Sequence, residues 1–111
     1  MQENQKISKI INEFSLFILE NHSDNFNFSI NLIDSTFVLK FTTDRIEGEL
    51  REKLETELIP EHDFDLEEYG WEICGDGDGT DDLALIGALI DSVEYVDTDK
   101  ETSVIMKRKL R

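Results

Sequence analysis

Apolar residues at helical spacing open the chain. Between residues 4 and 21 they recur at intervals of three and four, which places them on one face of a helix. This face consists of Ile7, Ile10, Ile11, Phe14, Phe17 and Ile18. Turn-forming residues at 21–25 end the pattern, so the spacing predicts one amphipathic N-terminal helix.

The pattern changes to alternation in FNFSINLIDSTFVLKF, residues 26–41. Apolar and polar residues alternate on both sides of Asp34 and Ser35, which are common turn formers. This alternation predicts a β-hairpin of two half-buried strands, with apolar side chains toward the core and polar ones toward water. The apolar side of the first strand comprises Phe26, Phe28, Ile30 and Leu32.

A second helix is predicted to begin near Arg45, where the Thr-Thr-Asp sequence of residues 42–44 can cap it. Pro60, the only proline, should stop this helix because a proline has no backbone N–H to continue it. Its apolar stripe comprises Ile46, Leu50, Leu54 and Leu58.

Residues 83–90 are apolar nearly all round, which predicts a buried helix. Gly87 lowers helix propensity there, and close packing against a neighbour would explain it. Residues 93–96 and 103–110 predict two final strands. The order of elements predicts an α+β fold, a two-layer sandwich of about four largely antiparallel strands with about three helices on one face, in a single domain over residues 1–111.

Charge narrows the classes of function. The formal net charge is -15, and between Leu54 and Asp99 sixteen acidic residues occur without any Lys or Arg. Such a chain repels phosphates, which argues against direct binding of nucleic acid or of an anionic membrane. The charge favours a protein partner with a basic surface or a cation, or it serves only solubility.

The acidic segment, defined here as residues 61–82, is the predicted partner-binding region. Aromatic side chains rimmed by carboxylates suit a basic protein surface, although the same aromatics would also anchor a long loop to the core. The predicted partner-binding residues are Asp63, Asp65, Glu67, Glu68, Tyr69, Trp71, Asp76 and Asp78.

Four aspartates in the GDGDGTDD stretch offer hard oxygen ligands for a cation. An EF-hand loop that began at Asp76 would need Gly where Asp81 stands and Glu where Gly87 stands, so that pattern fails. A weak cation site and a solvated acidic turn both remain open, and neither a resident metal nor a cofactor is expected. The weak cation candidates are Asp76, Asp78, Asp81 and Asp82.

The single cysteine, Cys74, excludes an internal disulfide. His62 is the one histidine near it in sequence, and the surrounding acids disfavour a thiolate, so we predict no catalytic residues. No stretch approaches ~18 apolar residues, and the N-terminus lacks a signal-peptide core, which together predict a cytoplasmic location.

The C-terminal part, LALIGALIDSVEY followed by TSVIMKRKL, resembles the histidine-kinase-like ATPase domain. It is most similar to the small anti-sigma-factor serine kinases of bacteria. Those proteins have a helix of the type L-G-L-x-L-I-x-x-L-M-D, a strand E-V-E-Y and a last strand that ends near K-x-L. The matching residues are Leu83, Leu85, Ile86, Leu89, Ile90, Asp91, Val93, Glu94 and Tyr95.

The resemblance implies where a nucleotide would bind if binding were retained. Glu13 matches the Glu of the first helix, but Phe17 stands where the family has its magnesium-binding Asn. Asp44 and Gly48 fit the motif D-x-G-x-G, whose Asp contacts adenine, but Ile46 replaces the first glycine. The retained candidates are therefore Glu13, Asp44 and Gly48.

The family's glycine-rich lid falls on residues 78–82, where aspartates stand in place of glycines. A phosphate site needs bare backbone N–H groups and positive potential, which this stretch does not offer. The sequence thus predicts a non-catalytic regulatory protein-binding domain of degenerate anti-sigma-factor-kinase type. The alternatives are a divergent ATP-binding serine kinase and an acidic inhibitor or immunity protein for a basic enzyme.

Overall fold

A computed structural model describes residues 3–61 and 82–110 of the chain. The described helices are α1 (Glu3–Asn21), α2 (Gly48–Glu57) and α3 (Asp82–Leu89), and the strands are β1 (Phe26–Ile33), β2 (Thr36–Asp44), β3 (Ser92–Asp97) and β4 (Glu101–Lys109). The strands form one antiparallel sheet with the helices packed on one side of it, so the predicted α+β fold is confirmed.

The four strands lie in the order β1-β2-β4-β3, and every neighbouring pair is antiparallel. Two hairpins, β1–β2 and β3–β4, meet where β2 pairs with β4 along nine residues. Within the described part of the chain, β1 and β3 are therefore the two edges of the sheet.

The first hairpin turns at the residues that the alternation predicted. Asp34 and Ser35 have φ angles of 49° and 63°, both in the left-handed region, and Ile33 lies opposite Thr36 across the turn. Two successive positive φ angles are the mark of a type I′ turn, whose twist matches that of the flanking strands. The predicted hairpin is confirmed.

The core lies between α1, α3 and the two central strands. The ring of Phe14 on α1 packs 4.7 Å, centroid to centroid, from the ring of Phe41 on β2. Ile86 on α3 and Val104 on β4 are fully buried beside them. The apolar spacing of α1 and the uniformly apolar sequence of α3 thus both result from burial against the sheet.

A fully buried arginine belongs to this core. Arg108 on β4 is fully buried, and its Nε and Nη2 donate to the Glu3 carboxylate at 2.6 and 3.0 Å. Its Nη1 donates to the carbonyl of Leu89 at 2.7 Å, which satisfies an acceptor that the last turn of α3 leaves free. Arg108 therefore joins the start of α1 and the end of α3 to the sheet.

Helix α2 begins at Gly48, three residues later than predicted, and residues 42–44 belong to β2 instead of capping it. The reason is that the chain stays bonded to the β3–β4 hairpin. The N–H of Arg45 donates to the Lys100 carbonyl at 3.0 Å, and the next N–H donates to the Thr102 hydroxyl at 2.9 Å. Those long-range bonds hold the backbone extended until Gly48.

Gly87 permits close approach between α3 and the segment that follows α2. A Cβ at this position would lie 2.3 Å from the carbonyl oxygen of Ile59. The Glu61 N–H also donates to the Gly87 carbonyl at 2.8 Å. The predicted close packing at Gly87 is confirmed.

Strand β1 is more exposed than the alternation predicted. Phe26 is partly buried against the core, but Phe28, Ile30 and Leu32 are 51%, 40% and 56% exposed. Their register places them on the same side of the sheet as the helices. The expected burial is wrong because β1 is an edge strand, and the buried side chains of the sheet belong to the strands at its centre.

Candidate functional site

The two positions on α1 that a nucleotide site would use are part of the packing. Glu13 is nearly buried, and its carboxylate accepts a bond from the Lys9 ammonium, one turn earlier, at 2.7 Å. Phe17 packs in the core with its ring 6.1 Å from that of Phe14. An ion pair and an aromatic ring therefore occupy the positions that the resemblance assigns to a Glu and to a magnesium-binding Asn.

Asp44, the candidate for reading adenine, ends β2 and bonds to the turn after α1. Its two carboxylate oxygens accept bonds from the Ser23 hydroxyl and, at 2.9 Å, from the Asn25 amide. These two bonds lower the pKa of Asp44. The atoms that would accept a bond from adenine are thus already engaged within the chain.

The neighbouring residues His22, Ser23 and Asp44 do not form a catalytic triad. In a triad the imidazole lies between the hydroxyl and the carboxylate and takes the proton of the hydroxyl. Here Ser23 donates directly to the carboxylate, while the His22 Nε2 lies 2.8 Å from the backbone oxygen of Asp44. This arrangement fixes the α1–β1 turn against β2 and activates no nucleophile.

Gly48 is a glycine for reasons of backbone geometry. It is the first residue of α2 and has a φ of +67°, a conformation that side chains with a Cβ rarely adopt. Two carboxylates flank it in sequence, Glu47 and Glu49, and would repel a phosphate. Glu13 and Asp44 thus bond to different partners, and Gly48 lies at the start of α2.

The predicted partner-binding residues, 63–78, lie outside the described residues, and so do the cation candidates Asp76, Asp78 and Asp81. Asp82 is the first residue of α3, but nothing is described of its side chain. Within the ranges 3–61 and 82–110, no group of three or more His, Cys, Asp or Glu side chains is arranged to hold a metal ion.

Sequence reasoning missed a polar cluster that joins α2 to the β3–β4 hairpin. The Arg51 guanidinium donates to both carboxylate oxygens of Asp97, at 2.8 and 3.0 Å, and the Thr102 hydroxyl donates to the same carboxylate at 2.7 Å. The guanidinium carbon also lies 4.8 Å from the centre of the Tyr95 ring. Partners 46 residues apart in sequence leave no local pattern, so no signal pointed to this cluster.

The electrostatics of this cluster suit a structural contact between α2 and the β3–β4 hairpin. The bonds from Arg51 and Thr102 lower the pKa of Asp97 to about 2, and the bond to Asp97 raises the pKa of Arg51. Burial raises the pKa of Tyr95 to about 12. Each group is thereby held in one protonation state near neutral pH, which is the opposite of what proton transfer requires.

A groove of about 510 Å³ opens on the sheet face opposite the helices. Its charged lining residues are two lysines, Lys107 and Lys109, and two acids, Asp34 and Asp91. The Asp91 carboxylate accepts a bond from the backbone N–H of Lys109 at 2.6 Å. The balanced charges give this groove no preference for an anion or a cation.

In the described part of the chain, no helix has the length and apolar composition that crossing a bilayer requires. Comparisons with protein families, with curated proteins and with solved structures found no match to this chain.

Proposed function

We propose that this protein is a non-catalytic, cytoplasmic regulatory domain that binds a protein partner with a basic surface. The acidic segment, residues 61–82, supplies the contact, and the domain is a degenerate form of the anti-sigma-factor-kinase type. The charge distribution carries this proposal, since residues 54–99 include sixteen acids and no Lys or Arg. Such a field attracts a basic surface, speeds encounter and repels phosphates.

The contacts of the candidate nucleotide residues support a non-catalytic role. Asp44 bonds to Ser23 and Asn25, and Glu13 pairs with Lys9. Binding of ATP at these positions would compete with those bonds. The described surface that leads into the acidic segment is also acidic, because α2 exposes Glu49, Glu52 and Glu55.

Capture of partners from a cell lysate on the immobilised chain tests the proposal. A variant with four neutralisations in the acidic segment (Asp63→Asn, Asp65→Asn, Glu67→Gln, Glu68→Gln) should lose the retained partner. A matched control carries the same change of charge at exposed acids elsewhere (Glu20→Gln, Asp24→Asn, Asp99→Asn, Glu101→Gln) and should keep it. Equal retention by both variants would contradict the proposal.

The enzyme alternative makes a different prediction. A divergent serine kinase would gain thermal stability from ATP with magnesium, and Asp44→Ala would abolish that gain when each protein is compared with its own ligand-free state. We expect no gain for either protein. An acidic inhibitor would instead appear as tight capture of one cationic enzyme whose activity falls on binding.

A further inference from the structure

The two edges of the sheet differ in their protection against pairing with another strand. Natural edge strands commonly carry charges, prolines or bulges that prevent such pairing. Strand β3 follows this rule, since Glu94 and Asp97 lie among its six residues. Strand β1 has no charged residue, proline or glycine among its eight, and its register with β2 is unbroken. Charged residues make up 33% of the chain, so their absence from this edge stands out.

The turn of the first hairpin fixes which backbone groups of β1 are open. Because Asp34 and Ser35 form a two-residue turn, Ile33 and Thr36 form the closing hydrogen-bonded pair. Bonded and non-bonded pairs alternate along an antiparallel ladder. The residues of β1 whose N–H and C=O groups point away from β2 are therefore Phe26, Phe28, Ile30 and Leu32.

Those same residues carry the apolar side chains on the helix side of the sheet. Phe28, Ile30 and Leu32 are each at least 40% exposed. The open backbone groups and the exposed apolar side chains thus belong to one set of residues, and none of the described residues pairs with this edge. A ligand that fits must be a β-strand with apolar residues at every second position.

We propose that β1 of a second copy of this chain occupies the edge, in an antiparallel pair whose two-fold axis passes beside Ser29. In this register Phe28 lies opposite Ile30 of the second copy, and Phe26 lies opposite Leu32 of the second copy. Each apolar residue directs its N–H and C=O groups at an apolar residue of the other strand. The described strands of the two copies then form one sheet of eight strands, with the described helices of both copies on the same side.

The polar face of β1 fits the same register. Ser29 lies opposite Ser29 of the second copy, and Asn27 lies opposite Asn31 of the second copy. A hydroxyl thus faces a hydroxyl and an amide faces an amide, and both kinds of pair can form hydrogen bonds. A shift by one residue would place polar side chains opposite apolar ones on both faces of the sheet. A shift by two in one direction would place Asn27 opposite Ile33, and a shift by two in the other would leave Leu32 opposite Asp24, which lies outside the strand. The register centred on Ser29 therefore matches both faces.

Charge favours a second copy at this edge over other positions on the surface. Each copy carries a net charge of -15, but the paired strands themselves carry none, so like charges do not meet within the contact. The paired edge is about 26 Å long, which is small for a stable interface. The dimer is therefore weak and reversible, and salt strengthens it by screening the repulsion between the two copies.

This inference goes beyond the proposed function and does not use the acidic segment. Salt separates the two experimentally, because added salt weakens the attraction to a basic partner and strengthens the dimer. Loss of dimerisation in a β1 variant that still captures the partner would leave the proposed function standing. Loss of capture in a chain that still dimerises would leave the dimer standing.

Sedimentation velocity of the purified full chain tests the dimer over about two decades of protein concentration. The expected result is a monomer–dimer equilibrium that shifts toward the dimer with added salt. Ile30→Lys, whose charge would face the apolar side chain of Phe28, should be monomeric throughout. Leu19→Lys adds the same charge at an apolar residue of α1 that is 46% exposed and should dimerise like the parent chain.

A cysteine scan then tests the register in a Cys74→Ser background. Ser29→Cys should form a disulfide-linked dimer under mild oxidation, because facing Cα atoms in a non-hydrogen-bonded pair lie about 4.5 Å apart. Asn27→Cys should not, because its counterpart lies four residues away along the strand, about 13 Å. A monomer at every concentration, a dimer of Ile30→Lys, or equal crosslinking at both positions would overturn the inference.

Discussion

At the residue scale, the pairing of Arg51 with Asp97 illustrates how a single contact joins distant elements. Both guanidinium nitrogens at the end of Arg51 bond to the two oxygens of Asp97, and Thr102 donates a third bond. The same threonine accepts a bond from the N–H of Ile46. Removing the Asp97 carboxylate therefore takes away the common partner of α2 and β4. It also leaves the guanidinium of Arg51 and the hydroxyl of Thr102 without the acceptor to which they donate.

Asp97→Asn should make the free energy of unfolding less dependent on pH in the acidic range. The pKa of Asp97 is about 2 in the folded protein against 3.8 as the ordinary value, so its ionised form stabilises the fold fully above about pH 4 and progressively less down to about pH 2. The parent chain should therefore be more stable than the variant at pH 7, and the difference should shrink between pH 4 and 2. Urea unfolding at several pH values measures this.

The exchange Asp99→Asn provides the control, because Asp99 is an exposed acid two residues along the same hairpin. Its effect on the free energy of unfolding should be small at every pH. A difference between the parent chain and Asp97→Asn that stays constant from pH 7 to pH 2 would show that the pair with Arg51 does not stabilise the fold through charge.

At the element scale, the sequence predicted most helices and strands because their patterns are local. Alternation around Asp34 and Ser35 located the first hairpin, and the apolar sequence of α3 predicted its burial. The predicted start of α2 was wrong because the bond from Arg45 to Lys100 joins residues far apart in sequence, and no local sequence pattern reveals such a bond. The exposure of β1 could not be predicted, since alternation shows which side chains share a face and not which strand lies at the edge.

The candidate site shows the same division. Relative to the motifs of the family that the sequence resembles, Phe17 in place of an Asn and Ile46 in place of a glycine were visible in the sequence. The bonds that engage Asp44 join residues about twenty positions apart and required the fold. The free edge of β1 required the strand order, which depends on the pairing of β2 with β4.

Gly87→Ala should destabilise the protein although alanine is the better helix former. Helix propensity alone favours alanine by about 1 kcal/mol. The added Cβ would lie 2.3 Å from the Ile59 carbonyl oxygen, a backbone atom that cannot rotate away. Overpacking of this kind costs about 1–3 kcal/mol, and a 2.3 Å approach to a backbone atom belongs at the upper end of that range, so the net loss should be about 1–2 kcal/mol in chemical unfolding.

The reverse exchange on the same helix, Ala84→Gly, provides the matched control for Gly87→Ala. Ala84 is exposed, and its replacement should cost about 1 kcal/mol through propensity. Both substitutions should thus destabilise, whereas propensity alone gives them opposite signs. An increase in stability for Gly87→Ala would mean that the Ile59 segment moves away from α3 without cost.

At the scale of the whole molecule, the net charge of -15 opposes the compact state. The chain has 26 acidic residues and 11 basic ones, so most acids have no cation to pair with. Folding brings these carboxylates together, and the resulting repulsion lowers the free energy of unfolding. Salt should therefore favour both the folded state of one chain and the dimer at β1, because it screens the repulsion between carboxylates in both cases.

Added sodium chloride should raise the free energy of unfolding. The screening length falls from about 10 Å at 0.1 M to about 3 Å at 1 M, which weakens repulsion between distant carboxylates more than it weakens bonded pairs such as Arg51–Asp97. A gain of about 1 kcal/mol would raise the midpoint of thermal unfolding by roughly 5 °C.

The gain should persist in Ile30→Lys, which separates self-repulsion within one chain from dimerisation. It should shrink in the variant with four neutralised acids in the acidic segment. A fall in stability with salt would mean that ion pairs outweigh repulsion across the fold.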